Sequence, residues 1–210
     1  PKSARATPIQ LLPDSGGLRL DANLEISISN GAFFEPVSLS PDLYYGFAPR
    51  LVFGLTHSAA SQGFIGSGNS LRLTGGGSLY RNVGLEFFYK ILDQQTLSFA
   101  PQAGLIFEPF DPCLFSLKIG ALAHTRVGPL TIVANPNIRL AVNKSDQRSN
   151  SFILPFWGYY AVTEGMDVYG YFAIDQFEAV GIGMGATFLA IPGVRLGAQL
   201  GWPRLVGENG

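Results

Sequence analysis

Residues 18–29 read Leu18-Arg-Leu-Asp-Ala-Asn-Leu-Glu-Ile-Ser-Ile-Ser29. Every even position is apolar and every odd one is polar or charged. Successive side chains of a strand point to opposite faces. Leu18, Leu20, Ala22, Leu24, Ile26 and Ile28 therefore share one face. Arg19, Asp21, Asn23, Glu25 and Ser27 share the other. A helix would scatter these charges around its circumference.

The same period of two recurs outward from this stretch. It predicts strands at about 37–47, 51–58, 82–92, 96–107, 114–127, 130–142, 151–163, 167–174, 178–190 and 194–202. With residues 18–29 the count is eleven. Most runs are about 9–13 residues long, well beyond the usual globular strand and suited to a tilted bilayer crossing. No stretch reads as an amphipathic helix.

Composition agrees. Hydrophobic residues make up 47% of the 210 and charged residues 14%, against about 25% charged in ordinary soluble domains. Disorder is excluded by so much apolar surface. A disulfide framework is excluded by a single cysteine, Cys113. A helical membrane protein is excluded because no run reaches about 18 apolar residues without a polar break. Lys+Arg number 14 against Asp+Glu 15, so no nucleic-acid partner is expected.

The charges are segregated by face. One face carries Val83, Leu85 and Phe87, then Phe115, Leu117 and Ile119, then Val180, Ile182 and Met184. The opposite face carries Asp42, Glu86, Lys90, Lys118, Arg126, Arg139 and Arg195. Glu178 is the one charge on the apolar phase, and it falls at a strand end. A soluble β-sandwich or lipocalin-like barrel with an apolar interior would show the same alternation. Three features favour lipid instead. The polar face is rich in glycine, as at Gly181, Gly183 and Gly185. Aromatics gather near strand ends, as at Tyr44, Tyr45 and Phe47 or Trp157, Tyr159 and Tyr160, the pattern of an interfacial girdle. Alternate connections are short (48–50, 93–95, 128–129, 164–166, 191–193), and most of the others are longer (30–36, 59–81, 108–113, 143–150), 175–177 being short. Membrane barrels pair short periplasmic turns with longer outer loops.

The prediction is an all-β, antiparallel up-and-down transmembrane barrel of about 12 strands, of which about 11 are visible. The chain resembles bacterial outer-membrane β-barrels of the porin-like kind. Its alternation, aromatic girdles and loop asymmetry carry the resemblance, together with strand-like segments such as Leu51-Val-Phe-Gly-Leu-Thr-His57 and Asn82-Val-Gly-Leu-Glu-Phe-Phe-Tyr89. It covers about residues 18–202 and is one of architecture, with no named family's functional motif. It implies the outer membrane of a Gram-negative envelope, with the N-terminus periplasmic. Partners would be the lipid bilayer and other envelope proteins reached through loops or an open strand edge.

Eleven is an odd number, whereas single-chain bacterial barrels are even-stranded. Four readings account for it: a twelfth strand beyond the given residues, an extra edge from residues 8–12, a strand merged or split in counting, or a strand donated by a partner. The domains are accordingly a periplasmic tail at 1–17, the barrel at 18–202, and the start of an outer loop at 203–210. A plug entering the lumen is the second reading of residues 1–17.

Parity places the pore lining. Arg19, Lys90, Lys118, Arg126, Arg139 and Arg195 meet Asp21, Glu25, Asp42, Glu86 and Asp167, with Gln102, Asn135, Gln199, His124 and Trp157 between them. The signs nearly balance, so strong anion or cation selectivity is not expected. The expected function is a porin-like passive channel for small polar solutes. The alternative is a structural or complex-forming component with a filled lumen, and a lipid-acting barrel enzyme comes third.

No catalytic constellation supports an enzyme. His57 and Ser58 are adjacent, so in a strand they would point apart. Asp93, Asp111, Asp146 and Asp175 lie in separate connections, and no metal site is expected. Gly181-Ile-Gly-Met-Gly185 echoes a dinucleotide fingerprint, yet the turn and helix that fingerprint needs are missing. No cofactor is expected. Those glycines should instead make a smooth inward wall. The glycine-bearing loop at 59–81 is expected to be able to fold inward and narrow the barrel.

Overall fold

The computed structural model describes residues 11–29, 32–58, 71–74, 80, 82–108, 114–143, 150–175 and 179–206. Cys113, Asp111, Asp146, Glu178 and most of the 59–81 loop lie outside the described residues.

Fourteen strands follow one another: β1 (Leu18–Ser29), β2 (Ala32–Ala48), β3 (Leu51–Thr56), β4 (Leu71–Arg72), β5 (Val83–Tyr89), β6 (Leu92–Asp93), β7 (Leu97–Phe107), β8 (Phe115–Val127), β9 (Leu130–Ala134), β10 (Asn137–Ala141), β11 (Ser151–Thr163), β12 (Met166–Asp175), β13 (Ala179–Ile191) and β14 (Val194–Val206). No helix occurs among the described residues. β9 and β10 are two halves of one barrel strand. Pro136 lacks the N–H the ladder needs, yet the register against β8 is the same on both sides, Ala123↔Ala134 and Gly120↔Asn137. β4 and β6 are two-residue pairs beside β2 and β7.

Eleven strands therefore form a closed barrel. Neighbours pair antiparallel everywhere except at the seam. There β1 runs parallel to β14, from Leu20↔Val194 to Ser27↔Gly201. An odd strand number makes the first and last strands point the same way, so closure requires parallel bonds. This corrects the expected twelfth strand: β1 and β14 occupy each other's edges, leaving no gap for another. β14 runs on to Val206.

Burial alternates as the period of two demands, with the polar side inward. Phe87 is 52% exposed and its neighbour Phe88 is 4% exposed. Among the described residues, thirty large hydrophobic side chains are exposed. Buried inside are Asp21, Glu25, Asp42, Glu86, Lys118 and Asp167, among others. Ile182 is among the exposed set, so no second sheet covers that face. Tyr45, Phe47, Tyr89 and Tyr160 are exposed within a few residues of the short turns, and Phe47 and Phe53 pack on Phe87.

Candidate functional site: the lumen

Two kinds of side chain fill the barrel. Aromatic and aliphatic groups form two inner clusters. One holds Leu12, Tyr44, Val52, Phe88 and Ala100. The other holds Val133, Trp157, Tyr169 and Tyr171, with Leu11, Leu122 and Tyr159 packed on it. The glycines of β13 explain how Tyr169 and Tyr171 fit. A Cβ on Gly183 would lie 2.3 Å from the Tyr171 ring, and one on Gly185 would lie 2.5 Å from the Tyr169 ring. Each glycine opposes its tyrosine in register. The expected smooth wall is thus a pair of notches that receive rings from the next strand.

Charged groups are paired, most of them across strands. Lys118 Nζ lies 2.8 Å from Glu86 Oε2, and both side chains are at most 1% exposed. Thr56 donates to the other Glu86 oxygen at 2.7 Å. Arg195 pairs with Asp167 at 2.9 Å. Arg19 grips Asp21 through two nitrogens and lies over the Tyr44 ring, 5.5 Å from its centroid. Gln199 donates to Glu25 at 2.9 Å and accepts from Tyr169 at 3.1 Å. Gln102 donates to Asn135. Such charges are tolerated away from water only when partnered like this.

The remaining predicted lining residues fall toward the ends. Lys90 pairs with Asp93 at 2.8 Å and with Asp14 at 3.3 Å. His124 Nδ1 lies 2.8 Å from Ser98 Oγ. Arg126 is half-buried beside the 93–95 turn, donating to Gln95 O at 2.9 Å. Arg139 is buried opposite Lys118 in register, and Asp42 is buried near the far end of β3.

Asp42 reshapes the chain that leaves β3. It accepts from His57 N at 2.6 Å, Ser58 N at 2.9 Å and Ser58 Oγ at 2.7 Å. The segment bends inward, so His57 and Ser58 are both buried rather than on opposite faces. Pro41 O can only accept, so His57 Nδ1, which faces it, carries the proton. His57 Nε2 then accepts from the Tyr80 hydroxyl at 2.6 Å. A phenol is already protonated at neutral pH, and desolvation pushes that of Tyr80 further up. The imidazole is committed to these two partners. Among the described residues no group of three or more His, Cys, Asp or Glu side chains could hold a metal ion.

The feature that sequence reading placed only as a secondary option is residues 11–17. Leu12 is buried in the first cluster and Leu11 packs on the second. Arg19 donates to Leu11 O. Gly16 N donates to Gly46 O at 2.6 Å, and Gly46 N donates to Gly17 O at 3.0 Å. Gly46 is needed here, since a Cβ would strike Asp14 O at 2.1 Å. This segment thus enters the lumen at the short-turn end. The adjacent Leu11-Leu12 pair in an otherwise polar stretch was its only signal.

Between the segment and the wall lies a cavity of about 90 Å³, lined by Leu11, the Arg19–Asp21 pair, Trp157, Tyr159 and Thr187 among others. Comparison with protein-family models, with curated proteins and with solved structures found no match.

Proposed function

We propose that this barrel spans the bacterial outer membrane, with the short-turn end and the N-terminus on the periplasmic side. The single observation that carries the membrane reading is the inversion of burial: apolar residues face out and ion pairs face in. A soluble surface with so many exposed large hydrophobics would associate. Lipid covers them instead, and the closed hydrogen-bonded ring leaves no unpaired strand edge in the hydrocarbon.

Within that setting, the filled lumen supports a structural or complex-forming component of the membrane over an open porin. The Glu86–Lys118 pair, Ile106 and Asn137 are each buried to within about a hundredth of full exposure. Inward-facing side chains packed this closely support a lumen with little free passage.

A channel for small polar solutes is the second reading, favoured by residues 11–17. These are a separable piece of chain, tied by Asp14 to Lys90 and by backbone bonds to Gly46, and they could withdraw. Planar-bilayer recordings test both readings. The filled-lumen reading expects no conductance steps, either from the full chain or from a variant lacking residues 1–17. Steps from the shortened variant alone would establish a plugged channel, and steps from both would overturn occlusion. A purified protein that is monodisperse without detergent would overturn the membrane reading itself.

A further inference from the structure

We propose that the short-turn mouth of the lumen is a docking site for a short segment of a partner protein, one carrying an aromatic residue followed by an aliphatic one, and that residues 11–17 hold this site until the partner displaces them. The partner rests on the complex-forming reading above, whereas the site stands on the seated segment.

That segment is an occupant of the barrel and not a piece of its wall. The ring closes through β1 and β14 from Leu20↔Val194 onward, and no strand of it includes a residue before Leu18. β1 begins opposite Tyr45, so Gly46 of β2 lies beyond its end, and Gly16 and Gly17 bond there. Gly17 N donates to Asp14 O at 2.8 Å, and Gly16 has a φ of 78°, a turn that favours glycine at this position. It sends residues 11–13 into the lumen, while Asp14, Ser15 and Gly16 stay exposed at the mouth.

The barrel reads the segment in three ways. Arg19, held by Asp21, donates to the Leu11 carbonyl. Leu12 enters the cluster of Tyr44, Val52, Phe88 and Ala100. Leu11 packs on the other cluster, that of Val133, Trp157, Tyr169 and Tyr171. Adjacent side chains that part into two clusters, with a bound carbonyl between them, fit a peptide; an unbranched acyl chain cannot fill both at once. The fit is incomplete at Leu11, which borders the cavity of about 90 Å³ together with Leu122, Trp157 and Tyr159. Empty space beside a side chain forfeits its contacts. A larger, flat side chain in place of Leu11 recovers them, which gives a partner the means to displace the resident segment.

The test uses the full chain in lipid nanodiscs with Leu12→Asp, which expels its own segment, and Trp202→Phe, so that emission reports Trp157 alone. Acetylated peptides of residues 11–17 are titrated in. The native peptide should give a saturable emission change. The Leu11→Phe peptide should bind about threefold to tenfold tighter, and the Leu12→Asp peptide at least about tenfold more weakly. A chain that keeps its own Leu12 should bind the native peptide at least about tenfold more weakly, because the tethered copy competes at high effective concentration. Leu11→Ala with Leu12→Ala replaces Leu12→Asp in the chain if that variant loses its heat-modifiable mobility on gels. Loss in both would make the segment part of the barrel's core and overturn the proposal. So would a non-saturating native peptide, weaker binding of the Leu11→Phe peptide, or equal binding of the Leu12→Asp peptide. Displacement of the native peptide by equimolar hexanoate would make the mouth an acyl-chain site and would overturn it too. None of these outcomes depends on conductance, so they are read apart from the bilayer recordings that test the filled lumen.

Discussion

Replacing Gly183 with alanine tests how the aromatic belt is built. The new Cβ would sit 2.3, 2.4 and 2.6 Å from Cε1, Cζ and the hydroxyl oxygen of Tyr171. Ordinary contact begins near 3.4 Å, so the overlap is about 1 Å along one edge of the ring. The strand cannot give way, because Gly183 and Tyr171 are locked in register within long ladders. The ring must move, and it is buried in the cluster with Trp157, Tyr169 and Val133. Overpacking of this kind costs roughly 1–3 kcal/mol. Equilibrium urea unfolding of the barrel in lipid vesicles would measure it as a lower midpoint at constant slope. Tyr171→Ala removes the obstacle, so the double variant should be more stable than the sum of the single effects by a similar 1–3 kcal/mol. Gly185 is the control. Its Cβ would meet the Tyr169 ring at 2.5 Å and also the Ala198 carbonyl at 2.6 Å. Removing the ring leaves the carbonyl, so Tyr169→Ala should rescue Gly185→Ala much less. If Gly183→Ala falls within about 0.5 kcal/mol of the parent, or the first cycle is additive, the notch argument is wrong.

Other outcomes follow from the same geometry. Lys118→Met should destabilise the barrel by about 3–5 kcal/mol by stranding Glu86, and adding Glu86→Gln should recover most of that loss; equal losses in the single and double variants would show that the pair does not act as a unit. Met184→Arg, on the outward phase of β13, should cost roughly 2–4 kcal/mol in vesicle refolding, whereas a cost under about 0.5 kcal/mol would mean that water covers that face. Leu12→Asp should expel residues 11–17 and open them to protease. Asp14→Asn should leave them protected, because Asp14 is largely exposed, Lys90 keeps Asp93, and an exposed bridge is worth at most about 1 kcal/mol. Cleavage patterns that rank the two variants the other way would show the segment to be held by charge.

The strands were legible from residues 18–29 outward, because a period of two is a local property written into every strand; the barrel reading also needed the aromatic girdles and the alternation of short and long connections. Inward and outward faces follow from parity: Arg19, Glu86 and Lys118 are inside and Leu18, Phe87 and Ile119 outside. Parity failed where the chain leaves the ladder. His57 and Ser58 are both buried because Asp42, on another strand, pulls their backbone inward. The alternation therefore determined the fold class and which residues meet in the interior. It could not determine which of them touch, since the Glu86–Lys118 and Arg195–Asp167 pairs depend on neighbours more than 25 residues apart. Two larger decisions also belonged to the tertiary structure. One is the parallel closure of β1 on β14, settled by the direction and stagger of strands nearly 180 residues apart. The other is the seating of Leu11 and Leu12 in the lumen. Two leucines in a polar stretch carry no address of their own, and only the space left between the inner rings supplies one.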